Sequence, residues 1–198
     1  MRDVLRRVRA FIGGFWRALR HVRPAPTAEA IAFLDDLFNR FPFTREAEQW
    51  LRDLVSVEVR NLGSVRGGGL FFPGQNRVQL HSGQYEAAIH ELAHAWWHPR
   101  RLTQREAFIA AVVRAAHEPE PAFSRTAELA HGYVYGLPEV GFPGFLQDRN
   151  DWEMFAGMAS GCMADLRRLP PYLRPYFDGL FRLLPPEYAS PESSAPHL

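Results

Sequence analysis

The stretch Ile89–Pro99, IHELAHAWWHP, puts three histidines (His90, His94, His98) and one glutamate (Glu91) within a single short run. On a helix, residues four apart lie one turn above each other on the same face. His90 and His94 would therefore point the same way, and two neutral imidazoles at that spacing can grip one divalent ion, typically Zn²⁺. Glu91 follows His90 by one residue, about 100° round the helix. It is offset from the ligand pair yet close enough to take a proton from a water that the ion activates, the work of a general base beside a Lewis acid. His98 is eight residues from His90, about 12 Å along the axis, so one ion with bonds near 2 Å cannot hold both.

The residues between the histidines support a buried helix. Ile89, Leu92, Ala93 and Trp96 form an apolar stripe, and two imidazoles buried there need partners. Trp96 reads as core, and Trp97 as packing or as part of a pocket wall. Pro99 ends the helix.

The pattern His-Glu-x-x-His resembles that of the zincin superfamily of metallopeptidases. The preceding GLFFPGQNRVQLHSG adds to the likeness, because zincins commonly place a strand pair ahead of the active-site helix. Asn76–Leu80 is similar to the edge strand that aligns an extended substrate through its backbone. A third ligand is then required, with one position left open. HELAHAWWHPR has no Gly-x-x-His, which argues against the metzincin branch. The later stretch NDWEMFAGMASG resembles the E-x-F-A helix of gluzincin-like peptidases, including the lethal-factor-like group, in which the glutamate binds zinc. The resemblance implies Glu153 as third ligand, 59 residues after His94. Glu128 and His131 are open alternatives. Several gluzincins carry an aspartate four residues after the ligand glutamate, where this chain has Gly157. Asp148, Asp151 or a backbone carbonyl would have to orient a ligand histidine instead. Tyr133, Tyr135, His131 and His117 are candidates for stabilising the oxyanion of a tetrahedral intermediate, and no motif selects among them.

These residues need elements to carry them. Of 198 residues, 46% are apolar, enough for one domain with a core. Thr27 can cap a helix to about Arg40, and a second short helix follows Thr44. Leu54–Leu62 alternates as a strand with Val55, Val57 and Val59 on one face. Leu70–Phe72 and Arg77–His81 read as a hairpin around PGQN. Gly67–Gly69 lacks the Lys-Ser/Thr and strand-to-helix context of a phosphate loop. Helices are expected over 84–97, from a Thr103–Glu106 capping box to about His117, over Ala122–His131, from about Asp148 to Arg168, and from Tyr172 to Leu184. The fold class is α+β, mostly helical, with a short three-stranded sheet beside the active-site helix.

The domain divides into a basic helix over 1–23, a zincin-like body over 24–184 and a disordered tail over 185–198. Residues 1–23 hold seven Arg against Asp3, a net +6, which leaves −5 on the rest of a chain of total charge +1. With its apolar spacing this segment reads as a helix that packs on the domain or a partner, or lies on a membrane surface. The single Cys162 precludes an intrachain disulfide and favours a reducing compartment. No apolar run approaches a membrane span, so a cytoplasmic location, with possible membrane-peripheral docking, is the expectation. Together these features point to a zinc-dependent peptidase with a protein or peptide substrate and no nucleic-acid partner. Two rival functions stay open: a non-catalytic, zinc-stabilised binding module, and a peripheral membrane protein acting through residues 1–23.

Overall fold

The computed structural model describes residues 26–60, 68–81, 83–117 and 150–185. The expected segments 1–23 and Ala122–His131, the loop at 132–147 and the tail beyond 185 lie outside them. The described part is α+β: five α-helices and one three-stranded mixed sheet. No helix there is long and apolar enough to cross a membrane.

Two capped helices open this part of the chain. Helix α1 (Ala28–Arg40) starts where the Thr27 hydroxyl accepts the Ala30 amide at 3.1 Å. Helix α2 (Arg45–Leu54) starts in the same way, with Thr44 accepting the Ala47 amide at 3.0 Å. Leu34, Leu37 and Phe38 of α1 and Ala47 and Leu51 of α2 face the core.

The strands are β1 (Ser56–Arg60), β2 (Gly69–Phe72) and β3 (Arg77–His81). The order is β1-β3-β2, with β1 parallel and β2 antiparallel to β3. The expected hairpin is present, and Asn76 closes it in the left-handed region at φ 50°. The expectation for Asn76–Leu80 as an edge strand fails, because both sides of β3 are taken by pairing and its alternate residues Val78 and Leu80 are fully buried. Among the described residues, the edge strand that borders the site is β2.

Helix α3 (Tyr85–Trp97) packs on β2 and β3, and helix α5 (Asp151–Gly161) packs on α3. Helix α4 (Leu102–His117) begins one residue before the expected Thr103 cap. Gln104 reaches back instead to the Arg101 amide, at 3.4 Å. Beneath α3 and α5, Trp97, Phe155 and Phe177 stack in a column with centroid spacings of 4.2 and 4.3 Å.

Two expected helices are shorter than the apolar spacing implied. Helix α5 stops at Gly161, where Met163 and Ala164 turn left-handed and the Ala164 amide closes onto the Ala159 carbonyl at 3.1 Å. Between Tyr172 and Leu184 there is only a 3₁₀ turn, Arg174–Tyr176. Pro175 has no amide to continue a helix. Phe181 forms a bridge with Phe43 instead.

Candidate metal centre

Helix α3 is buried along almost its whole length, including His90, Glu91 and His94, which are 4%, 8% and 6% exposed. Three ionisable groups so far from water are costly unless each is neutral, paired or bound. The first turn of α5 supplies what faces them. Asn150 caps that helix by accepting the Glu153 amide at 3.3 Å, and the Glu153 carboxylate straddles the two imidazoles.

Glu153 Oε2 lies 3.3 Å from His90 Nε2, and Glu153 Oε1 lies 3.4 Å from His94 Nε2. The two Nε2 atoms are 2.9 Å apart. Charge-assisted hydrogen bonds close to about 2.7–2.9 Å, so the carboxylate contacts are too long to be good ion pairs. Donor atoms around a tetrahedral ion with bonds of about 2.0–2.1 Å sit about 3.3–3.4 Å apart. Each carboxylate contact is about the length of such an edge, but the two run to different oxygens of Glu153, and the imidazole pair is slightly inside it; counted as one donor atom per residue, the three lie within 4.8 Å of one another. Among the described residues this is the one group of three His, Cys, Asp or Glu whose donor atoms gather this closely.

The protonation states suit the same reading. Desolvation pulls the His90 pKa down to about 4, against the raising effect of its hydrogen bond to Glu153, so the ring is neutral near pH 7. Burial pushes the Glu153 carboxyl up, but hydrogen bonds and charge from His90 and His94 outweigh it and hold the group well below the usual carboxylate range. A neutral imidazole and an ionised carboxylate are the forms that bind metal. The donor set therefore fits a divalent ion, with two nitrogens and an oxygen as zinc prefers.

Glu91 sits beside this set rather than in it. Burial raises its carboxyl to about 7, a rise opposed by the charge of His94 and by the backbone amide of Phe71 on β2. Gly69 makes room for it: a Cβ there would stand 2.5 Å from Glu91 Cγ, well inside contact distance. Leu70, Phe71, His90, Glu91, His94, Trp152 and Glu153 line an open cleft of about 280 Å³.

The walls of this cleft were not evident from residue spacing. The Phe71 ring lies parallel to His94 at 6.3 Å and meets His98 edge-on at 5.9 Å. His98 also packs edge-on against Trp152 at 4.8 Å, outside the donor set. The backbone of Ala156 bears on His90 as well, raising its pKa by less than burial lowers it. Asp151 does not orient a ligand histidine: Trp97 and Arg105 occupy both its oxygens. Trp96 and Trp97 are both buried packing residues. Glu128, His131, Tyr133, Tyr135 and Asp148 lie outside the described residues, as does the side chain of His117.

Comparison of the chain with protein-family models, curated proteins and solved structures returns no match.

Proposed function

We propose that the chain is a zinc-dependent peptidase, with His90, His94 and Glu153 as the metal ligands and Glu91 as the general base. The observation that supports this reading is the gathering of three donor atoms, one from each residue and all within 4.8 Å of one another, beside an acid that is not one of them. Bound zinc would supply Lewis acidity, activating a water and polarising the carbonyl to be cleaved.

The chain's own residues supply the rest. Glu91, poised near neutral pH, takes the proton from the attacking water and returns it to the leaving amine. Strand β2, at the sheet's edge among the described residues, would offer backbone groups to an extended peptide, which would bind there with little dependence on sequence. Leu70, Phe71 and Trp152 present an apolar wall to its side chains. Three protein ligands would leave a fourth position for water, which catalysis requires, whereas a purely structural zinc would take a fourth protein ligand there.

The test is a quenched-fluorescence peptide library incubated with the zinc-loaded chain and with Glu91→Gln. Cleavage that a chelator suppresses, and that Glu91→Gln lacks while retaining zinc, is the expected outcome. A fully zinc-loaded wild type with no turnover on any pool would favour the non-catalytic module instead.

A further inference from the structure

The two helices that carry the donor set are joined at a second point. Asp151 is only 4% exposed. It accepts the Trp97 indole N–H at 2.6 Å, and Arg105 grips it with two prongs, each 2.7 Å. Trp97 is three residues after His94 on α3, Asp151 is two before Glu153 on α5, and Arg105 comes from α4. One buried carboxylate thus ties three helices, and the ion pair with Arg105 offsets the cost of burying its charge.

Residues two apart on a helix diverge by about 200°. Asp151 and Glu153 therefore leave opposite sides of the first turn of α5. The Glu153 side chain is 41% exposed, and among the described residues its carboxylate meets only His90 and His94. Outside those two contacts, its place is set by how α5 is rotated. A rotation of about 10° moves a side-chain tip about 1 Å at a radius of roughly 5–6 Å. Metal–ligand distances tolerate only about 0.2 Å.

We propose that Asp151 is a positioning residue for the metal site: through Trp97 and Arg105 it fixes the rotation of the first turn of α5, and with it the point where Glu153 meets the two imidazoles. This inference rests on the metal-site reading above. Phe155, stacked on Trp97 from the next turn, extends the same lock along α5.

The experiment measures zinc affinity, by competition with a chromophoric chelator, for Asp151→Asn in the wild-type and Glu153→Ala backgrounds. The melting temperature of each metal-free chain is recorded alongside. Asparagine keeps an acceptor for Trp97 but loses the charge that holds Arg105. The expected result is a loss of about 10–100-fold in zinc affinity in the wild-type background, the range found for groups that orient ligands. In the Glu153→Ala background the loss shrinks to less than about 2-fold, because the effect travels through Glu153. Arg105→Gln, which leaves the Trp97 bond intact, gives the same pattern with a smaller loss and serves if Asp151→Asn does not fold. A tie that is merely structural lowers the metal-free melting temperature and leaves zinc affinity unchanged, or weakens it equally in both backgrounds; either result overturns the proposal. If wild type binds zinc and both variants match it, this inference alone fails. If wild type binds none, the metal-site reading fails with it.

Discussion

Two clusters of charge lie within one helical turn of each other on α3 and α5, and they are built to opposite specifications. In the first, Asp151 is closed upon by Trp97 and Arg105 at 2.6–2.7 Å. In the second, Glu153 stands 3.3 and 3.4 Å from two buried imidazoles. The first cluster has satisfied both oxygens of its carboxylate and has nothing left to bind. The second has gathered donors at distances that suit an ion better than they suit one another. A saturated tie beside a receptive set is what a preorganised site requires, since the rigidity comes from groups that do not themselves take part.

The widest separation of the two comes from His94→Ala. Zinc affinity should fall by more than about 100-fold, beyond the range for groups that only orient ligands, while the Asp151 tie and the metal-free melting temperature stay near wild type. Chelator competition and a thermal scan read both. Phe155→Ala should break what the clusters share. Its ring is fully buried between Trp97 and Phe177, so truncation costs about 3–5 kcal/mol, measured by urea denaturation of the metal-free chain.

Glu91→Gln sharpens the comparison by removing a third buried charge. The Glu91 pKa rises from 4.5 to about 7 on folding. Above pH 7 the folded chain therefore carries an ionised, desolvated carboxylate, at a cost on the order of 3 kcal/mol. Between pH 7 and 4.5 the folded state takes up a proton that the unfolded state does not yet hold, and the cost fades. Metal-free Glu91→Gln should melt above wild type at pH 8, with the gap closing by about pH 4.5; a gap that widened on acidification would contradict the assignment. The smallest effect is expected far from both clusters. Thr27→Ala removes the α1 cap and should cost about 1 kcal/mol with no change in zinc affinity.

How far the sequence foretold this arrangement depends on how local each feature is. His90, Glu91 and His94 were legible because one turn of helix brings them together by itself. Glu153 was legible less directly, through its resemblance to a ligand-bearing helix and through the oddity of an acid among Trp152, Phe155, Ala156 and Met158. The hairpin showed in its turn residues, but alternation cannot tell a central strand from an edge. The placement of β3 between its neighbours depended on β1, which pairs from 21 residues away at Ser56 and Arg77. The Asp151 tie was hidden for the same reason, since Trp97 is 54 residues distant and neither residue announces the other. Between Tyr172 and Leu184 helical spacing of Leu and Phe misled, because Pro175 and a pairing with Phe43 decide the backbone there.

The central claim, that α3 and α5 together hold one ion, is tested most directly by metal content. Wild type, Glu91→Gln and Glu153→Ala, purified without chelators, would be offered zinc, desalted and analysed side by side by mass spectrometry. The account predicts about one zinc per chain in the first two and little or none retained by Glu153→Ala. A wild type that stays empty, or a Glu153→Ala that holds as much zinc as wild type, would contradict it.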